Sequence, residues 1–317
     1  MKRETILITG SAGFAGSNLV RHVLYNYKKY NIVSVDRIDS RSSMHNIYAN
    51  KSHDFYIADV GDRNTMEIIL EQHRPSYVIN LATTTTQNKQ ISNNVCGLEK
   101  LIDSLCSCEC KAKLIHVSPY TIYKKKENVD EDSIVEAIDT LTASYIGAEN
   151  VLIGMCKQGG IKYNIIRRDE VFGPRQRGSG IVRSLYGTIN SNRSEKEIEV
   201  SLANEGTVKR NIIHIEDLCK AIMTIVSNGD DNETYNVSAG VDFTDIELLY
   251  MINDNIKKFD SSYDAKFNLD YFNDDTQGKF INLNAFKIRG LGWKPSKFRG
   301  RLEQTVGWYE SNSWFLR

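Results

Sequence analysis

The sequence predicts an α/β protein built on a doubly wound parallel sheet, followed by a smaller C-terminal lobe. Short β-rich runs alternate with helix-length periodic segments through the first half of the 317 residues. This alternation is typical of a parallel sheet with helices on both faces. After Arg168 it stops, because Gly173-Pro174 and a polar stretch at 191–198 interrupt it. We therefore predict one lobe over residues 1–168 and a second over 169–317, with some segments crossing back.

The individual elements follow from the same pattern. The β-rich runs predict strands over Thr5–Thr9, Ile32–Val35, Phe55–Ile57, Tyr77–Leu81, Lys113–Val117 and Tyr163–Ile166. The segments between them are long enough for the helical crossovers that parallel strands need, and predict helices around Phe14–Tyr27, Asp62–Gln72, Ile91–Ser107 and Thr142–Lys157. Shorter elements are predicted beyond residue 168, at Glu199–Leu202, Ile215–Val226, Thr234–Val237 and Thr244–Phe259.

Composition and charge exclude several classes of function. The 40 basic and 40 acidic residues give a formal net charge of zero, so neither nucleic acid nor an anionic membrane is an expected partner. No apolar run is long enough to span a bilayer and no leader is recognisable, so we expect a cytoplasmic protein. The cluster Cys106, Cys108 and Cys110 lacks a second ligand pair at zinc-like spacing. We expect reduced thiols and no metal.

The strongest chemical signal is a glycine turn directly after the first predicted strand. The turn reads Gly10-Ser-Ala-Gly13-Phe-Ala-Gly16 and opens a helix, whose N-terminus can face phosphates. Twenty residues past Gly16, Asp36 closes the second strand, where its carboxylate can accept hydrogen bonds from the adenosine ribose. These features predict a Rossmann-type site that takes NAD. Arg37, an adjacent cation, leaves NADP open as the cofactor. A separate alternative is that Asp36 only ends the strand and binds no ribose.

The glycine spacing resembles that of the extended short-chain dehydrogenases/reductases, and further segments continue the resemblance. They are Asp59-Val60, Asn80-Leu81-Ala82, Asn94-Val-Cys-Gly97, Phe172-Gly173-Pro174-Arg175-Gln176 and Lys209–Asp217. The tail, with Leu291-Gly-Trp-Lys-Pro295 and Thr305-Val-Gly-Trp308, is similar to that of dTDP-glucose or UDP-glucose 4,6-dehydratases. The resemblance implies an NAD-dependent lyase acting on a nucleotide sugar, with a substrate lobe at the C-terminus. It also implies cofactor contacts at Gly10, Gly13, Phe14, Ala15, Gly16, Asp36, Arg37, Asp59, Val60, Leu81 and Ala82, and substrate contacts at Arg210, Glu170 and Arg175.

The catalytic part of the pattern is degenerate. In the resembled dehydratases a Tyr and a Lys stand four residues apart on one helix, with a hydroxyl, an Asp and a Glu on a nearby strand end. Here Leu141 and Tyr145 take the Tyr and Lys positions, and the other three groups are replaced by Pro119, Tyr120 and Thr121.

The substrate-side pattern also departs from the family. Glu170 replaces an Asn, which puts a negative charge near the expected pyrophosphate. Arg210 is retained, but a second Arg expected near 275–279 is not recognisable.

These departures leave competing hypotheses. The sequence favours an NAD-binding pseudoenzyme that lacks the standard dehydratase activity and has a binding or structural role, with a nucleotide sugar or a protein as its partner. The alternative is an active dehydratase, epimerase or reductase whose catalytic base stands at a different position from the family's, with Tyr120, Tyr123 or Tyr145 in that role. A structural protein without cofactor would leave the glycine turn and Asp36 unexplained.

The resemblance also predicts a homodimer. Its contact would form through the helices at Ile91–Ser107 and Thr142–Lys157, although core packing explains their apolar residues equally well. Those residues are Leu98, Leu101, Ile102, Leu152 and Ile153.

Overall fold

The computed structural model describes residues 3–39, 42–124, 127–178, 180–274 and 280–316. Its strands are β1 (Glu4–Thr9), β2 (Tyr30–Asp36), β3 (His53–Ile57), β4 (Tyr77–Asn80), β5 (Lys113–Pro119), β6 (Tyr163–Arg168), β7 (Glu170–Phe172), β8 (Glu197–Ala203), β9 (Lys209–His214), β10 (Glu233–Val237), β11 (Asp242–Thr244) and β12 (Lys266–Phe272). Its α-helices are α1 (Phe14–Asn26), α2 (Arg63–His73), α3 (Gly97–Ser107), α4 (Thr140–Gly159), α5 (Ile181–Ser191), α6 (Ile215–Asn228), α7 (Asp245–Phe259), α8 (Phe286–Gly290) and α9 (Phe298–Ser311).

The main sheet confirms the predicted fold class. Within the described ranges, its seven strands run parallel in the order β10-β6-β5-β4-β1-β2-β3. Apolar residues of α1 and α6 pack on one face, and those of α2, α3 and α4 pack on the other. The chain order reverses between β1 and β4, and open α/β sheets bind ligands outside the carboxyl ends of the strands at such a point.

Strand β10 lies far beyond residue 168 and still joins the main sheet beside β6, with Thr234 opposite Ile165. It is therefore one of the segments that cross back, and the division into lobes at residue 168 stays a prediction. The remaining strands form two small sheets, β11-β9-β7 and β12-β8. These pack with α5, α7 and α9 around a second apolar core.

The helices predicted at Ile91–Ser107 and Thr142–Lys157 differ in their ends from those observed. The first begins with a π-helical turn over Ile91–Cys96 and continues as α3. The second, α4, begins at Thr140 because the Asp139 side chain accepts a hydrogen bond from Thr142 N, and it ends before Gly160, whose φ is +65°.

The residues proposed for a dimer contact divide between core and surface. Leu98, Leu101, Ile102 and Leu152 belong to the core under α2, α3 and α4, whereas Ile153 is 37% exposed. The homodimer stays a prediction, with Ile153 alone at the surface among these five. Of the helices in the described ranges, none combines the length and the apolar character needed to cross a bilayer.

Candidate cofactor and active site

A cavity of about 650 Å³ opens at the carboxyl ends of β1, β2, β3 and β4. The chain folds back to this edge after each strand, so residues distant in sequence meet there. All the residues predicted to contact a cofactor line it: Gly10, Gly13, Phe14, Ala15, Gly16, Asp36, Arg37, Asp59, Val60, Leu81 and Ala82.

The glycine turn forms the floor of the cavity. Gly10 has a φ of +66°, and a Cβ there would lie 2.7 Å from Leu81 O. A Cβ on Gly16 would overlap Gly10 O and lie 2.6 Å from the Ser11 Cα. Gly13 precedes α1 and supplies no side-chain cap, so the first N–H groups of the helix remain available to a ligand. A pyrophosphate is the kind of group that such a helix end binds.

Asp36 is fixed at the far end of the turn. It is 8% exposed, its Oδ2 accepts a hydrogen bond from Ala12 N at 2.9 Å, and its Oδ1 accepts one from Ile38 N at 2.8 Å. Each carboxylate oxygen can accept a second hydrogen bond, so ribose hydroxyls remain acceptable partners. The residues present therefore fit the adenosine and pyrophosphate parts of NAD.

The Arg37 guanidinium is already held by carboxylates. Its Nη2 lies 2.8 Å from Asp39 Oδ2, and its Nη1 lies 3.4 Å from Asp59 Oδ2. A 2′-phosphate would have to compete with both carboxylates for this cation. The arrangement favours NAD over NADP.

The degenerate catalytic positions lie at the end of β5 and along α4. Pro119 ends β5, and Tyr120 and Thr121 follow it in a 3₁₀ turn. Leu141 and Tyr145 stand four residues apart on α4, and Tyr145 is 7% exposed. Of these five residues, all within the described ranges, none lines the 650 Å³ cavity.

Two of the proposed alternative bases are poorly suited to that role. Burial, together with the nearby Glu170 and Asp169 carboxylates, raises the pKa of Tyr120 to about 12. The Tyr123 hydroxyl donates to Asn236 Oδ1 at 2.7 Å and accepts from Arg167 Nη1 at 2.8 Å. Burial raises the pKa of Tyr123 to about 12 as well. Tyr123 therefore serves as a buried structural link.

Glu149, one turn after Tyr145, does not reach towards a ligand. It is 3% exposed and pairs with Arg167, whose Nη2 and Nε lie 2.7 Å and 3.1 Å from Glu149 Oε2. The pair ties α4 to β6. Either of these charges, buried without the other, would be costly. The ion pair therefore fixes the position of the helix that carries Leu141 and Tyr145.

The substrate-side residues predicted from sequence do not all come together. Glu170 Oε2 lies 3.6 Å from Arg210 Nη1, and Arg210 Nη2 donates to Asp245 Oδ2 at 3.0 Å. Glu170 Oε1 also accepts a hydrogen bond from Ile181 N, the first residue of α5, at 3.1 Å. Arg175 lies elsewhere, with its guanidinium 5.3 Å from the centre of the Trp308 ring. The 275–279 stretch, near which the resembled family has a second Arg, lies outside the described residues.

The sequence model of the NAD dependent epimerase/dehydratase family matches residues 6–238. The chain belongs to this family. It is 24% identical to human dTDP-D-glucose 4,6-dehydratase over 98% of its own length and 91% of the relative's, and 25% identical to Escherichia coli dTDP-glucose 4,6-dehydratase 1 over 97% and 93%.

Solved structures of the epimerase/dehydratase family share the fold. The dTDP-glucose 4,6-dehydratase of Bacillus anthracis in complex with NAD matches with a TM-score of 0.88 and 22% identity, covering 99% of this chain and 100% of that one. The UDP-glucose 4-epimerase of Thermotoga maritima with UDP-glucose matches with a TM-score of 0.85 and 23% identity, covering 98% and 99%. The family match confirms the predicted family and its NAD dependence, and the solved structures confirm the predicted fold.

For this member of the epimerase/dehydratase family, sequence reasoning missed part of the cavity wall. Further residues line the cavity and could contact a ligand: Ser42, Thr83, Thr84, Ser92, Asn93, Cys96, Gly97, Lys100 and Arg177. The Asn94-x-x-Gly97 segment was a signal for the α3 part of this wall, because Lys100 follows Gly97 by one helical turn. Arg177 had no local signal, since only the tertiary fold brings the loop after β7 to the cavity.

Proposed function

We propose that this protein binds NAD in the 650 Å³ cavity and does not carry out the standard 4,6-dehydration of a nucleotide sugar. One observation carries the proposal. The cavity lining suits the adenosine and pyrophosphate parts of NAD, whereas the positions that resemble the family's acid–base groups hold residues unsuited to that chemistry. On this reading the protein has a binding or structural role.

The chemical requirement explains why these replacements matter. NAD, when bound, would accept a hydride from the sugar, but the C4 hydroxyl must lose its proton at the same time. Leu141 has no ionisable group, and a pKa of about 12 leaves Tyr120 protonated near neutral pH. General acid–base assistance is typically worth about 10²- to 10⁴-fold in rate. Its loss, together with the loss of the groups for elimination, leaves negligible turnover.

The substrate side supports the same proposal. A nucleotide sugar would bring a diphosphate, which binds helix N-termini and guanidinium groups. Glu170 contacts both an α5 backbone N–H and Arg210. The carboxylate therefore competes with a diphosphate for the same donors. We therefore propose that any second ligand is a nucleotide sugar, and that it binds with low affinity.

The test is to incubate the NAD-loaded protein with dTDP-glucose and with UDP-glucose and to follow the alkaline absorbance of a 4-keto product. We expect no product, while calorimetry shows NAD binding. A matched variant restores the family groups and relieves the substrate side, and should recover a trace of activity; it carries Leu141→Tyr, Tyr145→Lys, Pro119→Thr, Tyr120→Asp, Thr121→Glu and Glu170→Asn. Robust turnover by the unmodified protein contradicts the proposal, and its loss in Tyr145→Phe would then identify the relocated base.

A further inference from the structure

The last turn of the described chain packs against two loops beside the cofactor cavity. It is a 3₁₀ turn over Ser313–Leu316, directly after α9. Phe315 is 3% exposed, and the centre of its ring lies 4.8 Å from the guanidinium carbon of Arg177, a residue of the cavity wall. The Trp314 ring lies 5.5 Å from the ring of His45, in the loop after β2. The C-terminal turn therefore joins two loops that are distant in sequence.

Both loops are attached to the part of the cavity that suits a pyrophosphate. In the loop after β2, Asn46 Nδ2 donates to Ala12 O in the glycine turn at 2.9 Å. In the loop after β7, Pro174 O accepts a hydrogen bond from Asn18 Nδ2 of α1 at 3.0 Å. The start of α1 lines the cavity, and such a helix end binds phosphates. The loop that carries Arg177 is thus held beside the expected position of the pyrophosphate.

The Arg177 guanidinium is available to an anionic ligand. Arg37, also in the cavity wall, is held by two carboxylates. Arg177 instead lies over the Phe315 ring, and no carboxylate of the described ranges pairs with it. A ring on one face of a guanidinium leaves the N–H donors in its plane free for oxygen acceptors. A pyrophosphate supplies such acceptors, and guanidinium–phosphate hydrogen bonds are among the strong ones.

The Phe315 ring is fixed by α9 and not by the loop that it supports. It packs edge-on against Trp308, with ring centres 5.1 Å apart, and Phe315 N donates to Asn312 O at 2.9 Å. Helix α9 is itself tied to the loop after β7, because the Tyr309 hydroxyl donates to Gly173 O at 3.1 Å. The ring is therefore a rigid support, against which a long exposed side chain loses part of its freedom before a ligand binds.

We infer that Phe315 is a positioning residue for the cofactor, because it holds the Arg177 guanidinium where it donates to the pyrophosphate of NAD. This inference rests on the proposed function, since the pyrophosphate belongs to the same ligand. It makes the C-terminal turn part of the cofactor site, although none of its described residues lines the cavity.

The test is calorimetry on the full-length protein with NAD and with ADP, which share the diphosphate. Arg177→Ala should weaken both ligands by about tenfold, because it removes charge-assisted hydrogen bonds. Phe315→Leu keeps an apolar side chain but removes the aromatic face, and should weaken both by about threefold. Phe286→Leu is the matched control, since it makes the same change at a 74% exposed position of α8 outside the cavity wall. It should leave both affinities unchanged.

A double variant separates positioning from a general structural effect. If Phe315 acts through Arg177, the variant with both substitutions binds NAD as Arg177→Ala does; losses that multiply overturn the inference. The loss in Phe315→Leu should also shrink as salt rises, because salt screens an exposed ionic contact, and a loss independent of salt contradicts the inference.

Arg177→Ala keeps the inference testable should Phe315→Leu not fold, because the Arg177 side chain is exposed and outside the core. Unchanged affinities in Arg177→Ala overturn the inference while leaving the proposed NAD site intact. Absence of NAD binding by the unmodified protein refutes the proposed function, and with it the inference that rests on it.

Discussion

Replacing Asp39 with Asn tests why the cavity should prefer NAD to NADP. The two cofactors differ by a phosphate on the adenosine ribose, next to where Asp36 would accept hydrogen bonds. Arg37 is the cation nearest to that carboxylate along the chain, and Asp39 and Asp59 hold its guanidinium at 2.8 Å and 3.4 Å. The extra phosphate would therefore meet a negative group without gaining the positive one.

The size of the effect follows from simple electrostatics. Two unit charges of the same sign at roughly 6 Å, in an effective dielectric of about 20, repel by about 2.8 kcal/mol. That is about a hundredfold in affinity, before screening by salt reduces it. Asp39→Asn removes the closer of the two partners of Arg37 and frees its guanidinium for a phosphate. We expect the preference for NAD to shrink by about tenfold in this variant.

The assay is calorimetric titration with NAD and NADP at one fixed, low salt concentration. Asp54→Asn is the matched control, because it makes the same charge change at an exposed position of β3 outside the cavity wall. Asp36→Ser is a less clean probe, since it also removes the acceptor of the Ala12 and Ile38 N–H groups. Equal affinities for NAD and NADP in the unmodified protein would refute the reasoning, as would equal effects of Asp39→Asn and Asp54→Asn.

Three further predictions concern stability and assembly. Gly16→Ala should lower the free energy of unfolding and abolish NAD binding, because the new Cβ would clash with backbone atoms. Gly154→Ala places its Cβ in open space on α4 and should raise the free energy of unfolding by about 0.5–1 kcal/mol; urea titration of both variants measures these changes. Burial raises the pKa of the Asp169 carboxyl to about 7, so the native state binds a proton that the unfolded chain loses near pH 4, and the free energy of unfolding falls as the pH rises from about 4 to 7. The Asp169→Asn variant lacks this loss and should become more stable relative to the unmodified protein between pH 5 and pH 8 in urea titrations. The same pH dependence in both proteins would contradict the assignment. Light scattering should give a dimer at micromolar concentration that Ile153→Lys weakens, and a monomer in the unmodified protein would end the dimer prediction.

The sequence was most informative where chemistry depends on neighbours along the chain. The turn from Gly10 to Gly16 and the placement of Asp36 at a strand end are local patterns, and each glycine has a steric reason that holds in any protein with this turn. The alternation of strands and helices likewise predicted the parallel sheet, because side-chain periodicity reports which faces are buried. The resemblance to the 4,6-dehydratases also placed Leu141 and Tyr145 at the Tyr and Lys positions before the structure was known.

Contacts between distant segments could not be predicted in this way. Arg37 was a possible NADP ligand in the sequence, and only the fold brought Asp59 beside it across the loops after β2 and β3. Tyr120 and Tyr123 were possible bases until burial and their neighbours set their pKa values. A pKa depends on desolvation and on charges nearby in space, neither of which follows from order along the chain.

The sequence by itself determined the parallel α/β sheet, its glycine turn and the place of Asp36 at a strand end, because local sterics and periodicity fix these features. The tertiary structure alone decided that Glu170 contacts both Arg210 and the start of α5. It also decided that β10 completes a sheet begun more than two hundred residues earlier. These arrangements depend on long-range packing, in which the free energy of a contact is set by what surrounds it in three dimensions.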